Sequence, residues 1–232
     1  MSYEGLNTNF AYIDDYGPWR RRINLEASTR CNLLCPGCNR TQQQDLFTPS
    51  DLSIEDFKLL VRPENNLHAL TYNMALGDPI YSGTLFEQLK HINTLENRPV
   101  LFFSTNGSGR SNSWWEQFAN YLNPTNPMNE NFPGDTIEFA VDGLKDTNHI
   151  YRINSKWDSI INGMKTLREK YTGKLAWRYL VFEHNYHQVA EAQKLATDIG
   201  LDEFHCILGD DRTPKEMILS SKTWEQVLHD LS

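Results

Sequence analysis

Residues 21–38 read RRINLEASTRCNLLCPGC and contain both the first strand of the fold and its most distinctive loop. Polar and apolar residues alternate over 21–27, as they do along a β-strand with one buried face. Three cysteines, Cys31, Cys35 and Cys38, then follow within eight residues. Because a disulfide framework spreads its cysteines along the chain, this clustering indicates metal or redox chemistry instead.

Beyond this stretch, segments with strand periodicity alternate with amphipathic helical segments. Strands are predicted at 67–76, 99–104, 136–141, 175–182 and 204–208, and helices at 53–61, 82–93, 113–122, 157–171, 186–199 and 222–231. With the first strand they form six strand–helix units of roughly 35 residues, the size of βαβ modules. Such alternation predicts an α/β protein with a parallel sheet. Periodicity leaves a doubly wound sheet and a curved, incomplete barrel open, and in both of them ligands bind at the C-terminal ends of the strands.

The composition of the 232-residue chain limits its function. With 39% hydrophobic and 22% charged residues, it is expected to form a single domain over 1–232, with an N-terminal extension at 1–20. Its net charge of −8 disfavours nucleic acid as a partner, because counterion release requires a basic face. No stretch of about 18 apolar residues is present to cross a membrane, and the N-terminus has no apolar signal core, so a cytoplasmic protein is expected.

The cysteine loop offers three soft ligands, which favour Zn²⁺, Cu(I) or an iron–sulfur cluster. Structural zinc usually takes four ligands in two separated pairs, whereas the one cysteine outside this loop is Cys206. A [4Fe–4S] cluster held by three cysteines leaves one iron open to a substrate or cofactor. A structural metal knuckle and three unrelated thiols are the alternatives. For Cys206, a buried thiol is the ordinary interpretation, and a fourth ligand or a radical relay is the alternative.

The C-x₃-C-x₂-C spacing after the first strand resembles the radical S-adenosylmethionine (SAM) superfamily. The resemblance covers residues 23–208 and implies a partial (β/α)₆ TIM-like barrel with parallel strands and a cluster loop at 28–40. It implies that Cys31, Cys35 and Cys38 hold a [4Fe–4S] cluster whose fourth iron binds the amine and carboxylate of SAM. One electron then cleaves the sulfonium bond, giving methionine and a 5′-deoxyadenosyl radical that takes hydrogen from a substrate.

The resemblance also implies which residues contact the amino group of SAM. Residues 74–79, MALGDP, are similar to the family's Gly-Gly-Glu-Pro motif. Gly77 would let the backbone approach the ligand, and Asp78 would accept a hydrogen bond from the ammonium group. Leu76 stands where the motif has a glycine, and Asp78 is one methylene shorter than glutamate. A Gly-Asp-Pro turn is the alternative interpretation.

A second segment, residues 140–152, resembles the Ser-x-Asp-Gly…Asn-x-x-x-Arg stretch of peptide- and cofactor-modifying radical SAM proteins. Arg152 matches the arginine that pairs with the SAM carboxylate, for which a planar guanidinium is well suited. A surface ion pair is the alternative for this arginine. Ala140 replaces the motif's serine, and Asp142 either belongs to the cofactor site or caps the following turn.

Two further strands carry polar residues that are candidates for cofactor or substrate contact. Ser104 and Asn106 lie in a Ser-Thr-Asn-Gly ending that is similar to endings on the cofactor side of the family's barrel, although a plain Asn-Gly turn is the alternative. Arg178 interrupts an apolar strand and faces either SAM, the substrate or solvent.

The sequence lacks the cysteines that an auxiliary cluster would need, so we expect one cluster and an open barrel. Such an open barrel leaves a peptide, a protein side chain and a small metabolite as possible substrates. The resemblance implies an external one-electron reductant such as flavodoxin or ferredoxin. Two rival functions remain: a zinc-stabilised binding module without catalysis, and a cluster protein for electron transfer or sensing.

Overall fold

The computed structural model describes residues 11–15, 21–46, 48–125, 134–209 and 213–231. Its strands are β1 (Ala11–Asp15), β2 (Arg21–Leu25), β3 (Ala69–Tyr72), β4 (Val100–Thr105), β5 (Thr136–Ala140), β6 (Lys174–Val181) and β7 (Glu203–Leu208). Its α-helices are α1 (Asn39–Gln42), α2 (Ile54–Leu60), α3 (Leu85–Ile92), α4 (Asn112–Ala119), α5 (Asn148–Tyr151), α6 (Trp157–Lys170), α7 (Val189–Ile199) and α8 (Ser221–Leu231).

The strands form one sheet in the order in which they occur along the chain. The six strands from β2 to β7 are parallel, with helices between them, which confirms the α/β prediction of a parallel partial barrel. Strand β1 was not predicted: it pairs antiparallel with β2, with Ala11 opposite Leu25. It lies in the segment expected to be an extension, whose remaining residues, 1–10 and 16–20, are outside the described part.

The two faces of the sheet have different chemistry because side chains alternate along each strand. In β6, four side chains pack with the helices in the main hydrophobic core: Leu175, Trp177, Tyr179 and Val181. The intervening Arg178 and Leu180 face a cavity on the other side. The helix side therefore holds the core, and the opposite side is left for a ligand.

The helices begin and end for local reasons that the sequence largely specifies. Ser53 caps α2, because its hydroxyl accepts the backbone N–H of Asp56 at 3.0 Å. Helix α7 ends at Gly200, which has a φ of +90°, a backbone conformation that glycine adopts without strain. The helix predicted from residue 186 begins instead with a 3₁₀ turn over Tyr186–Gln188. Among the described residues, the helices are too short or too polar to cross a membrane.

Gly163 provides a test of how tightly the helices pack on each other. It is buried in α6, and a Cβ at this position would overlap the indole ring of the fully buried Trp115 in α4. We expect Gly163→Ala to lower the free energy of unfolding by about 1–3 kcal/mol through overpacking, although alanine favours helix formation.

Urea denaturation measures this effect, with Asn162→Ala as the matched control. Asn162 is the exposed neighbour of Gly163 in the same helix, so its replacement should leave stability equal or slightly higher. If Gly163→Ala proved as stable as the control, the close contact between α4 and α6 would be wrong.

Candidate functional site

A cavity of about 690 Å³ lies at the C-terminal ends of the strands and on the face of the sheet opposite the core. Most of the residues predicted as site residues line it: Cys31, Cys35, Cys38, Gly77, Ser104, Asn106, Arg152 and Arg178. The carboxylates of Asp78 and Asp142, by contrast, are completely buried and do not line the cavity. Other lining residues, which the sequence did not single out, are Asn24, Glu26, Asn73 and Ile207.

The cysteine loop follows β2 directly and presents its sulfur atoms to this cavity. Cys35 is buried, while Cys31 and Cys38 are half-buried. The Cys31 sulfur accepts the backbone N–H of Leu33 at 3.4 Å and the Asn106 side-chain amide at 3.5 Å. The Cys35 sulfur lies 3.9 Å from the Arg152 guanidinium. Two of the three sulfurs therefore have N–H donors that stabilise negative charge on a thiolate.

This donor set fits an iron–sulfur cluster by its chemistry. Burial raises the pKa of Cys31 to about 12 and also raises the pKa of Cys35, although the N–H donors of Leu33 and Arg152 oppose the shift, so ionising these thiols requires a bound cation. Within the described residues, no three His, Cys, Asp or Glu side chains are already arranged as a metal site. The three thiols belong to one loop and line one cavity, but their sulfur atoms are not positioned as ligands of one metal ion.

Asp78 occupies a structural position rather than the ligand-facing one that was expected. Its carboxylate accepts the Thr105 hydroxyl at 2.9 Å and the backbone N–H groups of Ile80 and Asn106 at 3.1 and 2.8 Å. Burial raises the pKa of Asp78 to about 6, against the opposing effect of these hydrogen bonds. The carboxylate thus binds donors of the protein itself and does not line the cavity.

Gly77 is required by a close approach of two backbone segments. A Cβ at Gly77 would overlap the backbone of Ser28, in the loop after β2, and Asp78 donates its N–H to the Arg30 carbonyl at 2.8 Å. The glycine therefore joins the loop after β3 to the cysteine loop. It also lines the cavity, so its expected nearness to a ligand is compatible with this packing role.

Asp142 and Arg152 form a buried ion pair, with 2.5 Å between a carboxylate oxygen and Nε. The other carboxylate oxygen of Asp142 accepts the N–H of Leu180 at 2.8 Å, and Asn148 accepts the Asp142 backbone N–H at 2.8 Å. The short helix α5 returns the chain so that Arg152 reaches both Asp142 and the cavity. Asp142 therefore holds the arginine, and its own carboxylate does not line the cavity.

Among the described residues, Glu26 is the acidic residue that lines the cavity, and the sequence motifs did not single it out. Its two carboxylate oxygens accept the backbone N–H groups of Ala75 and Leu76 at 3.0 and 3.1 Å. Burial raises its pKa from 4.5 to about 7 despite these hydrogen bonds. The sequence pattern could have identified Glu26, since it is the polar residue near the end of the alternating segment 21–27.

The remaining predicted polar residues lie on the cavity side of the sheet, which we call its concave face. Ser104 is in β4, Asn106 directly follows β4, and Arg178 is in β6. Asn106 donates to the side-chain oxygen of Asn32 at 3.2 Å as well as to Cys31, so it orients the cysteine loop. Ser104 donates to Glu138 at 3.2 Å, and Glu138 lies 3.4 Å from Arg178.

Cys206 is not brought to the other cysteines. It is half-buried in β7, packs against the main core and does not line the cavity. Burial raises its pKa to about 12, so it is a protonated thiol at neutral pH. This placement favours the ordinary interpretation of a packed thiol over a fourth ligand.

Taken together, a parallel partial barrel with a three-cysteine loop after its first parallel strand defines the fold class of the radical SAM enzymes. No family model matches the chain. Its sequence is similar to pre-heme d1 synthase of Dinoroseobacter shibae, a radical SAM family member, with 25% identity over 177 residues. These residues are 76% of this chain and 40% of that protein, so the chain spans less than half the length of this relative.

Solved structures agree with this assignment of the fold. SuiB of Streptococcus suis, bound to S-adenosylmethionine, superposes with a TM-score of 0.66 at 16% identity, over 90% of this chain and 46% of SuiB. The enzyme anSMEcpe with bound AdoMet and Cp18Cys peptide gives a TM-score of 0.66 at 16% identity, over 88% of this chain and 56% of anSMEcpe. The resemblance to radical SAM enzymes predicted from the cysteine spacing is confirmed.

The raised pKa of Glu26 predicts a specific pH dependence of stability. Because the folded state binds this proton more tightly than the unfolded state, the Glu26 contribution to the free energy of unfolding falls as pH rises from about 4.5 to about 7. The loss is on the order of 3 kcal/mol for a shift of this size. Glu26→Gln cannot ionise, so its stability should depend less on pH.

Urea denaturation of both proteins at pH 5 and pH 8 measures the difference, because all other titrating groups are shared. Glu183→Gln is the matched control, since Glu183 is exposed. Equal pH dependence in wild type and Glu26→Gln would show that the carboxylate is not desolvated in the folded protein.

Proposed function

We propose that this chain is a radical SAM enzyme with one [4Fe–4S] cluster held by Cys31, Cys35 and Cys38. The observation that carries the proposal is that three cysteines of one loop, and no fourth, face a single cavity at the C-terminal rim of a radical SAM fold. When bound, the cluster supplies one electron for the reductive cleavage of SAM. SuiB and anSMEcpe, which share the fold, bind SAM.

The protein's own residues would then position SAM by its charged ends. We assign the ammonium group to Glu26 rather than Asp78, because Glu26 faces the cavity and Asp78 does not. A carboxylate has about four acceptor sites, and the N–H groups of Ala75 and Leu76 leave part of this capacity free. A nearby ammonium would also favour the ionised form of Glu26 and so offset its burial.

Arg152 would bind the carboxylate of SAM. Its guanidinium is held by Asp142, lines the cavity and lies beside Cys35. A guanidinium has five N–H donors in a planar fork, so an ion pair through Nε leaves donors for a second carboxylate. Fixing the arginine in advance lowers the entropic cost of binding. Gly77 keeps the neighbouring loop close, and Asn106 orients the cysteine loop.

The substrate would enter the same cavity and present a carbon–hydrogen bond to the radical. The fold relative SuiB has been solved with its precursor peptide SuiA, which supports a peptide as one candidate. A protein side chain and a small metabolite are the others. An external one-electron reductant such as flavodoxin or ferredoxin would supply the electron, and a cytoplasmic location is consistent with a reduced cluster.

The ligand assignment predicts that Cys35→Ala loses the cluster. Losing one of three thiolates should reduce iron and sulfide from roughly four of each per chain to well below one after anaerobic reconstitution. Iron and sulfide analysis measures this, and Cys206→Ala should keep the full content. Full iron in Cys35→Ala, or one zinc in place of iron in the wild type, would contradict the proposal.

The assignment of the ammonium predicts that Glu26→Gln weakens SAM binding about 10- to 100-fold at pH 8, since a charge-assisted hydrogen bond contributes about 1.5–3 kcal/mol. Equilibrium dialysis of the reconstituted protein measures the dissociation constant, with Glu183→Gln as the control. SAM affinity in the wild type should also fall below about pH 7 as Glu26 takes up its proton. An unchanged dissociation constant in Glu26→Gln would assign the ammonium to another group.

A further inference from the structure

Among the described residues, three arginines line the cavity, and Arg178 is the one whose guanidinium makes no hydrogen bond to the protein. Arg152 forms its ion pair with Asp142, and Arg40 donates to the Leu33 carbonyl. Arg178 lies 3.4 Å from the Glu138 carboxylate through Nε, but the geometry there is not that of a hydrogen bond, and this buried nitrogen has no other partner among the described residues. The terminal nitrogens of Arg178 make no hydrogen bond to the described residues either, so this cavity-lining guanidinium keeps donors for a ligand.

The position of Arg178 separates it from the cofactor end of the cavity. It lies three residues before Val181, the last residue of β6. At about 3.3 Å per residue, this places it roughly 10 Å below the rim from which the cysteine loop projects. In the strand order, β6 is also four strands away from β2, which leads into the cysteine loop and Glu26.

The surroundings of Arg178 leave room for a ligand with an apolar part. Its register partner in β5 is Ala140, which adds a single methyl group, and its partner in β7 is His205. Towards the rim, Leu180 and the partly exposed Ile207 line the same cavity. The cavity therefore presents the incompletely paired guanidinium of Arg178 next to the aliphatic side chains of Leu180 and Ile207.

We infer that Arg178 binds a carboxylate of the substrate, with the adjoining aliphatic part of the substrate against Leu180 and Ile207. The planar fork of a guanidinium matches a carboxylate. A single arginine beside the acidic Glu138 favours a group of one negative charge over a phosphate dianion. This inference rests on the proposed function, because it assumes that SAM occupies the rim and the substrate the space below it.

Binding of simple probes to the reconstituted, SAM-loaded protein tests the inference. Equilibrium dialysis with butanoate, butanamide and inorganic phosphate compares a carboxylate, its neutral analogue and a phosphate. The variants are Arg178→Met and the charge-retaining Arg178→Lys, with Arg62→Met as a control outside the cavity. Melting curves by circular dichroism identify any variant that fails to fold, in which case Arg178→Lys carries the comparison.

We expect wild type and Arg62→Met to retain butanoate at least 10-fold better than butanamide or phosphate. Arg178→Met should lose this preference, and Arg178→Lys should bind butanoate several-fold more weakly than wild type. Equal butanoate binding in wild type and both Arg178 variants would overturn the inference, as would tighter binding of phosphate.

A second measurement separates the two sources of a carboxylate, the substrate and SAM itself. If Arg178→Met weakened SAM binding as strongly as Arg152→Lys does, Arg178 would belong to the cofactor site and the inference would be wrong. Iron analysis of the same samples tests the proposed function independently. If the protein holds roughly four irons per chain but does not prefer butanoate, only the substrate assignment is wrong. If the protein holds no iron, the enzyme proposal is wrong.

Discussion

Two buried carboxylates hold the rim of the sheet in place, and the geometry of the cavity depends on them. Asp78 connects the loop after β3 to the end of β4 through Thr105 and the N–H of Asn106. Asp142 connects the end of β5 to β6 through the N–H of Leu180. Charges removed from water are tolerated when they are paired or fully hydrogen-bonded, so both carboxylates require these neighbours in place.

This constraint explains why the acidic residues at the rim have different roles. Asp78 and Asp142 use their oxygens on the protein itself, and Asp142 fixes Arg152 at the edge of the cavity. Glu26 is nearly as buried, yet it remains in contact with the cavity and its pKa is raised to about 7. Negative charge for an ammonium and positive charge for a carboxylate are therefore both available near the cysteine loop, while Arg178 supplies a separate cation further down the barrel.

Much of the fold could be predicted from the sequence because its physical causes are local. The alternation in β6, with Leu175, Trp177 and Tyr179 on one side, shows which face meets the helices. The cysteine spacing likewise depends on one short loop. Strand β1 was missed because AYIDD is too short and too polar at its end to show an apolar face. Its pairing with β2 is a contact of the folded chain that the local sequence does not encode.

The roles of the carboxylates were harder to predict, for a related reason. A carboxylate directly after a strand can face a ligand or accept N–H groups from the next strand. The choice between these roles for Asp78 depends on Thr105, which lies 27 residues further along the chain. Similarity to the family's motif predicts the first role, whereas in the structure the Asp78 carboxylate accepts the N–H groups of Ile80 and Asn106. Glu26 could have been identified, since it directly follows β2 and precedes the loop that carries the three cysteines.

The central claim is that three cysteines leave one iron open, and that SAM binds there through its amine. Electron–nuclear double resonance of the reduced protein with ¹⁵N-labelled SAM tests this most directly. The claim predicts a hyperfine coupling between the cluster's unpaired electron and the SAM nitrogen. The corresponding ¹⁵N signal should be absent from the spectrum recorded with unlabelled SAM. A reduced cluster whose spectrum is indifferent to SAM would show that its fourth iron is already occupied, and would contradict the claim.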